Sequence, residues 1–210
     1  MSSLTARDTN TRIALVAVGV LLLLLSSIHP HDRLTWWMET APVWIALPLL
    51  LATHRHFPLT PLACWLIFLH AVVLMVGGHY TYARVPLGQW VQEWFDLSRN
   101  HYDRLGHLMQ GFAPAIVVRE ILLRRSPLHT GKWLFFLTTS VCLAISALYE
   151  LIEWAAAITL SQGADEFLAT QGDIWDTQTD MFCALVGALL AQALLTRWHD
   201  RQLLRLAATA

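Results

Sequence analysis

Three segments of this chain gather side chains able to hold a cation or pass a proton: Asn100–His107 (NHYDRLGH), Tyr149–Trp154 (YELIEW) and Gln171–Asp180 (QGDIWDTQTD). Read as helices at about 100° per residue, Asp103 and His107 fall about 40° apart and Glu150 and Glu153 about 60° apart. Asp173, Asp176 and Asp180 share an arc of about 60°, whereas His101 lies about 160° from Asp103 and drops out. Carboxylates and imidazoles at i, i+3 and i+4 on bundled helices suit a divalent cation or a proton relay. Asp103, His107, Glu150, Glu153, Asp176 and Asp180 are therefore the candidate metal ligands. An oxygen-rich set with one His suits Zn, Mn or Mg.

Each position also has a purely structural reading. Asp173 follows Gly172 and can serve as a helix N-cap; Asp103 and Asp176 lie in first turns, where the helix dipole favours acids. Glu150 and Glu153 can pair with Arg104 or Arg84 as interhelical glue. His70 and Cys142, single polar residues in apolar helices, read as hydrogen-bonded core residues. Glu39 and His79 are weaker additions to the site. The chain carries no phosphate-binding glycine loop, nucleophile elbow or HExxH motif.

The elements that must position these groups are membrane helices. Of 210 residues, 56% are hydrophobic and 14% charged, against about 25% charged in ordinary soluble domains. Mean hydropathy is +0.48. A formal net charge of −1 offers no basic field, so nucleic acid is excluded as a partner and the lipid bilayer is expected instead. Cys64, Cys142 and Cys183 match no disulfide or zinc spacing and read as core residues. Six stretches suffice to cross about 30 Å of hydrocarbon: 13–28, 36–52, 62–80, 102–123, 133–160 and 174–198. Pro30, Pro58, Pro61 and Pro127 fall between them. The fourth is diluted by Asp103, His107, Gln110, Arg119 and Glu120, so hydropathy alone misses it.

The fold expected is thus an all-α, six-helix membrane bundle forming one domain over residues 1–210. Arg7 and Arg12 precede an apolar run, but Ser26-Ser27-Ile28-His29-Pro30 is no small-residue cleavage site, so the first helix is expected to be retained. With the N-terminus inside, cytoplasmic segments hold ten Lys and Arg and outer segments four, which places both termini in the cytoplasm. Residues 81–100 should contain a short interfacial helix with Trp90 and Trp94 facing lipid. Gly77-Gly78, Gly106, Gly111 and Pro114 are candidate helix breaks.

The segments HYDRLGH (101–107), YELIEW (149–154) and GDIWDTQTDM (172–181) resemble, in matching order, the YjdF-like family of bacterial inner-membrane proteins. The resemblance implies a multi-pass protein of the inner membrane and carries over no catalytic residue. The leading expectation from the residues themselves is a periplasm-facing metal site that hydrolyses a lipid or an envelope substrate. A metal-bound water would be the nucleophile and a non-ligating carboxylate the general base. The competing expectations are a proton- or cation-coupled transporter using the same carboxylates, and a non-catalytic envelope scaffold.

Overall fold

The computed structural model describes residues 6–160 and 170–208. Their regular structure is helical throughout: α1 (Ala6–Ser26), α2 (Arg33–Thr53), α3 (Pro61–Tyr80), α4 (Pro86–Trp94), α5 (Tyr102–Arg125), α6 (Lys132–Leu160) and α7 (Asp176–Ala208). A single 3₁₀ turn, Tyr82–Arg84, links α3 to α4. Helices α1, α2, α3, α6 and α7 are each long and apolar enough to cross a membrane. Helix α5 has the length, at 24 residues, but not the apolarity, as its ionisable residues foretold.

Local chemistry sets the helix ends. Asp32 caps α2 by accepting a hydrogen bond from the Thr35 amide at 2.6 Å, and Thr60 caps α3 through the Ala63 amide. Pro61 is the first residue of α3 rather than part of a linker, because its missing N–H costs nothing there. Helix α7 runs ten residues beyond the expected end at Trp198, since the polar tail buries His199 instead of ending in solvent. Helices α3 and α5 pass unbroken through the glycines and the proline expected to interrupt them. Helix α4 supplies the short helix expected within 81–100, with Trp90 and Trp94 both exposed.

The most polar of the long helices is also the central one. Helix α5 packs against α3, α6 and α7 and buries Asp103, His107, Gln110, Arg119 and Glu120 among them. Its closest partner is α7, which presents a stripe of buried small residues, Ala184, Gly187, Ala188 and Ala191. A Cβ at Gly111 would lie 1.8 Å from the Ala184 carbonyl oxygen, and one at Gly187 would lie 2.0 Å from that of Leu108. The two backbones therefore touch, which is how helices associate where lipid supplies no hydrophobic drive.

The end of the bundle remote from the acidic segments is fastened by a buried network. The Glu120 carboxylate, fully buried, accepts from the Thr60 amide (3.0 Å) and hydroxyl (2.7 Å) and from Arg124 (2.6 Å). Arg119 donates to His199 Nδ1 at 2.9 Å, so the imidazole proton sits on Nε2, 3.1 Å from Glu120. Arg119 also reaches Asp200 at 2.7 Å. These contacts tie the start of α3 and the end of α7 to α5.

Three substitutions test this frame by thermal unfolding in detergent. Gly187→Leu forces the α5 and α7 backbones apart and should cost about 2 kcal/mol or more, whereas Gly19→Ala, whose added methyl meets only Phe68 at 3.9 Å, should be neutral. Glu120→Ala strands His199 and Arg124 and should cost on the order of 3–5 kcal/mol, as expected for breaking a buried ion pair.

Candidate functional site

At the opposite end, the starts of α5 and α7 and the far part of α6 bring the three acidic segments together. Asn100 organises the entry. Its side-chain amide donates to the Ala83 (3.1 Å) and Val85 (3.0 Å) carbonyls, and its side-chain oxygen accepts from the Tyr102 amide. Its backbone exchanges two hydrogen bonds with the Gln171 side chain. One buried asparagine thus fixes the turn before α4, the start of α5 and the approach to α7 relative to one another.

Two arginines then clamp the acids of α7. Arg99 lies 2.6 Å from Asp176, 3.4 Å from Asp173 and 3.7 Å from Asp103. Arg104 lies 2.8 Å from Asp176, 2.9 Å from Asp173 and 2.5 Å from Asp180. Asp176 is held by both guanidinium groups. Asp173 pairs with both as well, and its second oxygen accepts from the Trp175 amide at 2.9 Å, a turn ahead of α7 and not the helix cap expected, since α7 begins at Asp176. Arg104 therefore serves the aspartates of α7 and not the glutamates of α6, contrary to the pairing expected from sequence.

Beyond the clamp lies a buried trio, Asp103, His107 and Asp180, whose potential ligand atoms fall within 4.8 Å of one another. His107 Nε2 is 3.5 Å from Asp103 and 3.9 Å from Asp180. Its Nδ1 stands 3.2 Å from the Gln110 side-chain oxygen, an acceptor, so Nδ1 carries a proton and donates. Nε2 therefore faces two carboxylates, and the arrangement closes only if a proton or a cation lies among them. Glu150 Oε1 sits 3.7 Å from His107 Nδ1 and is buried with no hydrogen-bond partner among the described residues. Glu153 is also buried, one turn further along α6.

Of the six candidate ligands, then, the fold unites Asp103, His107 and Asp180, sets Glu150 and Glu153 beside them, and gives Asp176 to the arginines. His101 is exposed and outside the cluster. Glu39 joins from α2, where its carboxylate accepts from the Tyr149 hydroxyl at 3.0 Å. His79 does not join: its Nδ1 lies 2.9 Å from the Ser26 carbonyl oxygen. His70 corrects the expectation of a hydrogen-bonded core residue, since its buried Nε2 has no partner among the described residues. Arg99, Gln110 and Tyr149 were not recognised from sequence. The i, i+4 spacing of Arg99 with Asp103 and the i, i+3 spacing of Gln110 with His107 were the local signals available.

Charge sets the chemistry this site can do. Among the described residues, the ion pairs of seven carboxylates (Glu39, Asp103, Glu150, Glu153, Asp173, Asp176 and Asp180) with permanent cations are those to Arg99 and Arg104. Ionised carboxylates withdrawn from water need partners, and these outnumber theirs. Protons on some of them, or a bound cation, must close the difference.

Comparison with known proteins agrees with this membrane architecture. A family described as predicted membrane protein (DUF2238) matches residues 11–201. The "Inner membrane protein YjdF" of Escherichia coli (strain K12) is 60% identical over 185 residues, 88% of each chain. No solved structure matches the chain. The chain belongs to the DUF2238 family of membrane proteins and is a multi-pass protein of the inner membrane.

Proposed function

We propose that Asp103, His107 and Asp180 form a divalent-cation site, and that this site supports hydrolysis of a lipid or envelope substrate on the periplasmic side. The observation that carries the reading is His107: one ring nitrogen donates to Gln110 while the other faces two carboxylates across 3.5 and 3.9 Å. A metal-ligating His commonly donates its second N–H to such an acceptor, which fixes its tautomer and orientation. Zn, Mn or Mg would serve, given two carboxylates and one imidazole. A cation held by these three residues would supply a bound water of lowered pKa, and Glu150, outside the trio and 3.7 Å from His107, would be placed to accept its proton.

The topology proposed with this reading has six crossings, with α5 as the polar sixth and both termini in the cytoplasm. Ten cytoplasmic against four outer Lys and Arg support it. Use of the same carboxylates for proton- or cation-coupled transport is the second reading. The unbroken courses of α3 and α5 favour it less, because such pathways typically use discontinuous helices.

Elemental analysis of detergent-purified protein should find about one divalent ion per chain, lost in Asp103→Asn/Asp180→Asn. Gln110→Ala should weaken cation affinity by about 10–100-fold while leaving the trio in place. A metal-free wild type, or double-variant protein that loses thermal stability with no change in metal content, would instead identify the cluster as helix-to-helix glue. For the topology, single cysteines at exposed Ser98 and His129 in a cysteine-free background are probed with an impermeant maleimide. Ser98→Cys should label in intact spheroplasts and His129→Cys only after lysis; the reverse pattern inverts the bundle.

A further inference from the structure

A cavity of about 330 Å³ lies between α2, α3, α5 and α6, within the ~300–1,000 Å³ range of small-ligand sites. Its two ends differ in chemistry. Glu39, Tyr82, Asp103, His107, Tyr149 and Glu153 line one end, and Ala46, Leu50, Ile67, Ala71 and Val117 line the other. Leu49 and Ile145 belong to its wall and are also 60% and 39% exposed. The cavity therefore reaches the lipid-facing surface between α2 and α6. These two helices join at the polar end through Tyr149 and Glu39.

The polar end is short of donors. No Arg or Lys lines the cavity. Glu153, only 9% exposed, makes no hydrogen bond or ion pair to any described residue, and His70 Nε2, also in the wall, is buried without a partner. An anionic head group would meet Glu39, Asp103 and Glu153, and the one wall group able to carry opposite charge, His107, is already engaged by Asp103 and Gln110. A wholly apolar guest would leave Glu153 and His70 unpaired, which is costly away from water.

We infer that this cavity binds a membrane amphiphile by one apolar chain, with a hydrogen-bond-donating head group of no net negative charge, best a primary amine, set against Glu39 and Glu153. The chain enters from the bilayer between α2 and α6, and the head ends beside His107. This binding goes beyond the cation site, because neither Glu39 nor Glu153 belongs to the trio.

The experiment reconstitutes the full chain in phosphatidylcholine vesicles with a nitroxide-labelled alkylamine or the nitroxide-labelled fatty acid of equal chain length. Electron spin resonance measures the motionally restricted fraction, with and without a chelator. Wild type should hold the amine about tenfold more strongly than the acid, the scale on which like-charge repulsion discriminates. The chelator should leave that preference intact, so loss of metal content bears on the cation site alone. Glu39→Gln/Glu153→Gln should bring the amine down to the level of the acid. Ala71→Trp should abolish restriction of both labels, and Ala46→Phe serves the same purpose if the tryptophan variant does not fold. Equal restriction of the two labels by wild type, or restriction surviving in a folded cavity-filling variant, overturns the inference.

Discussion

At Gly111 and Gly187 the backbones of α5 and α7 meet with no side chain between them, and the polar chemistry of the protein depends on that contact. A helix carrying Asp103, His107, Arg119 and Glu120 cannot face lipid. It has to be enclosed by neighbours that hold compensating groups within reach. Close approach to α7 brings Asp176 and Asp180 to one end of α5, and His199 and Asp200 to the other. A single methyl group at the crossing would separate both sets at once. Small residues at this interface are thus a condition for burying charge, as well as a packing preference.

The two ends are finished differently. At the Glu120 end every named charge has a geometrically good partner, and the hydrogen bonds determine which imidazole nitrogen holds the proton. At the Asp103 end, carboxylates exceed cations among the described residues, a buried glutamate oxygen has no hydrogen-bond partner among them, and a cavity adjoins the cluster. Saturated polar networks rigidify a structure, whereas incompletely satisfied ones need a reason to persist. Within one bundle the contrast separates a fastening from a candidate site.

The bundle architecture was legible because length and apolarity are local properties. All six long helices were recognisable, including α5, whose polarity hides it from hydropathy but whose helical spacing still marked it. Helical spacing likewise put Asp103 with His107 and removed His101. Pairings between helices were not legible. Arg99 looked like one more loop charge until Asn100 and Gln171 fixed its distance from Asp176, and nothing local to Glu120 points to His199, 79 positions away. Asp176 was grouped with the ligands because periodicity gives direction along a helix, whereas competition between arginine and a cation depends on the third dimension. The overrun of α7 past Trp198 has a similar cause: burial of His199 is a tertiary contact that sequence patterning does not register.

Helix α5 is bolted at both ends, by Arg99 and Arg104 through the aspartates of α7 and by Arg119 and Glu120 through His199, Asp200 and Thr60. Together with α3 and α7 it forms a fixed axle, unable to slide or tilt without breaking several buried ion pairs together. Helices α1 and α2 lean mainly on α3, and α2 meets α6 through the Tyr149 hydroxyl. The α2–α6 seam is therefore crossed, among the described residues, by one phenol hydrogen bond where the axle is held by ion pairs, and that phenol is its latch.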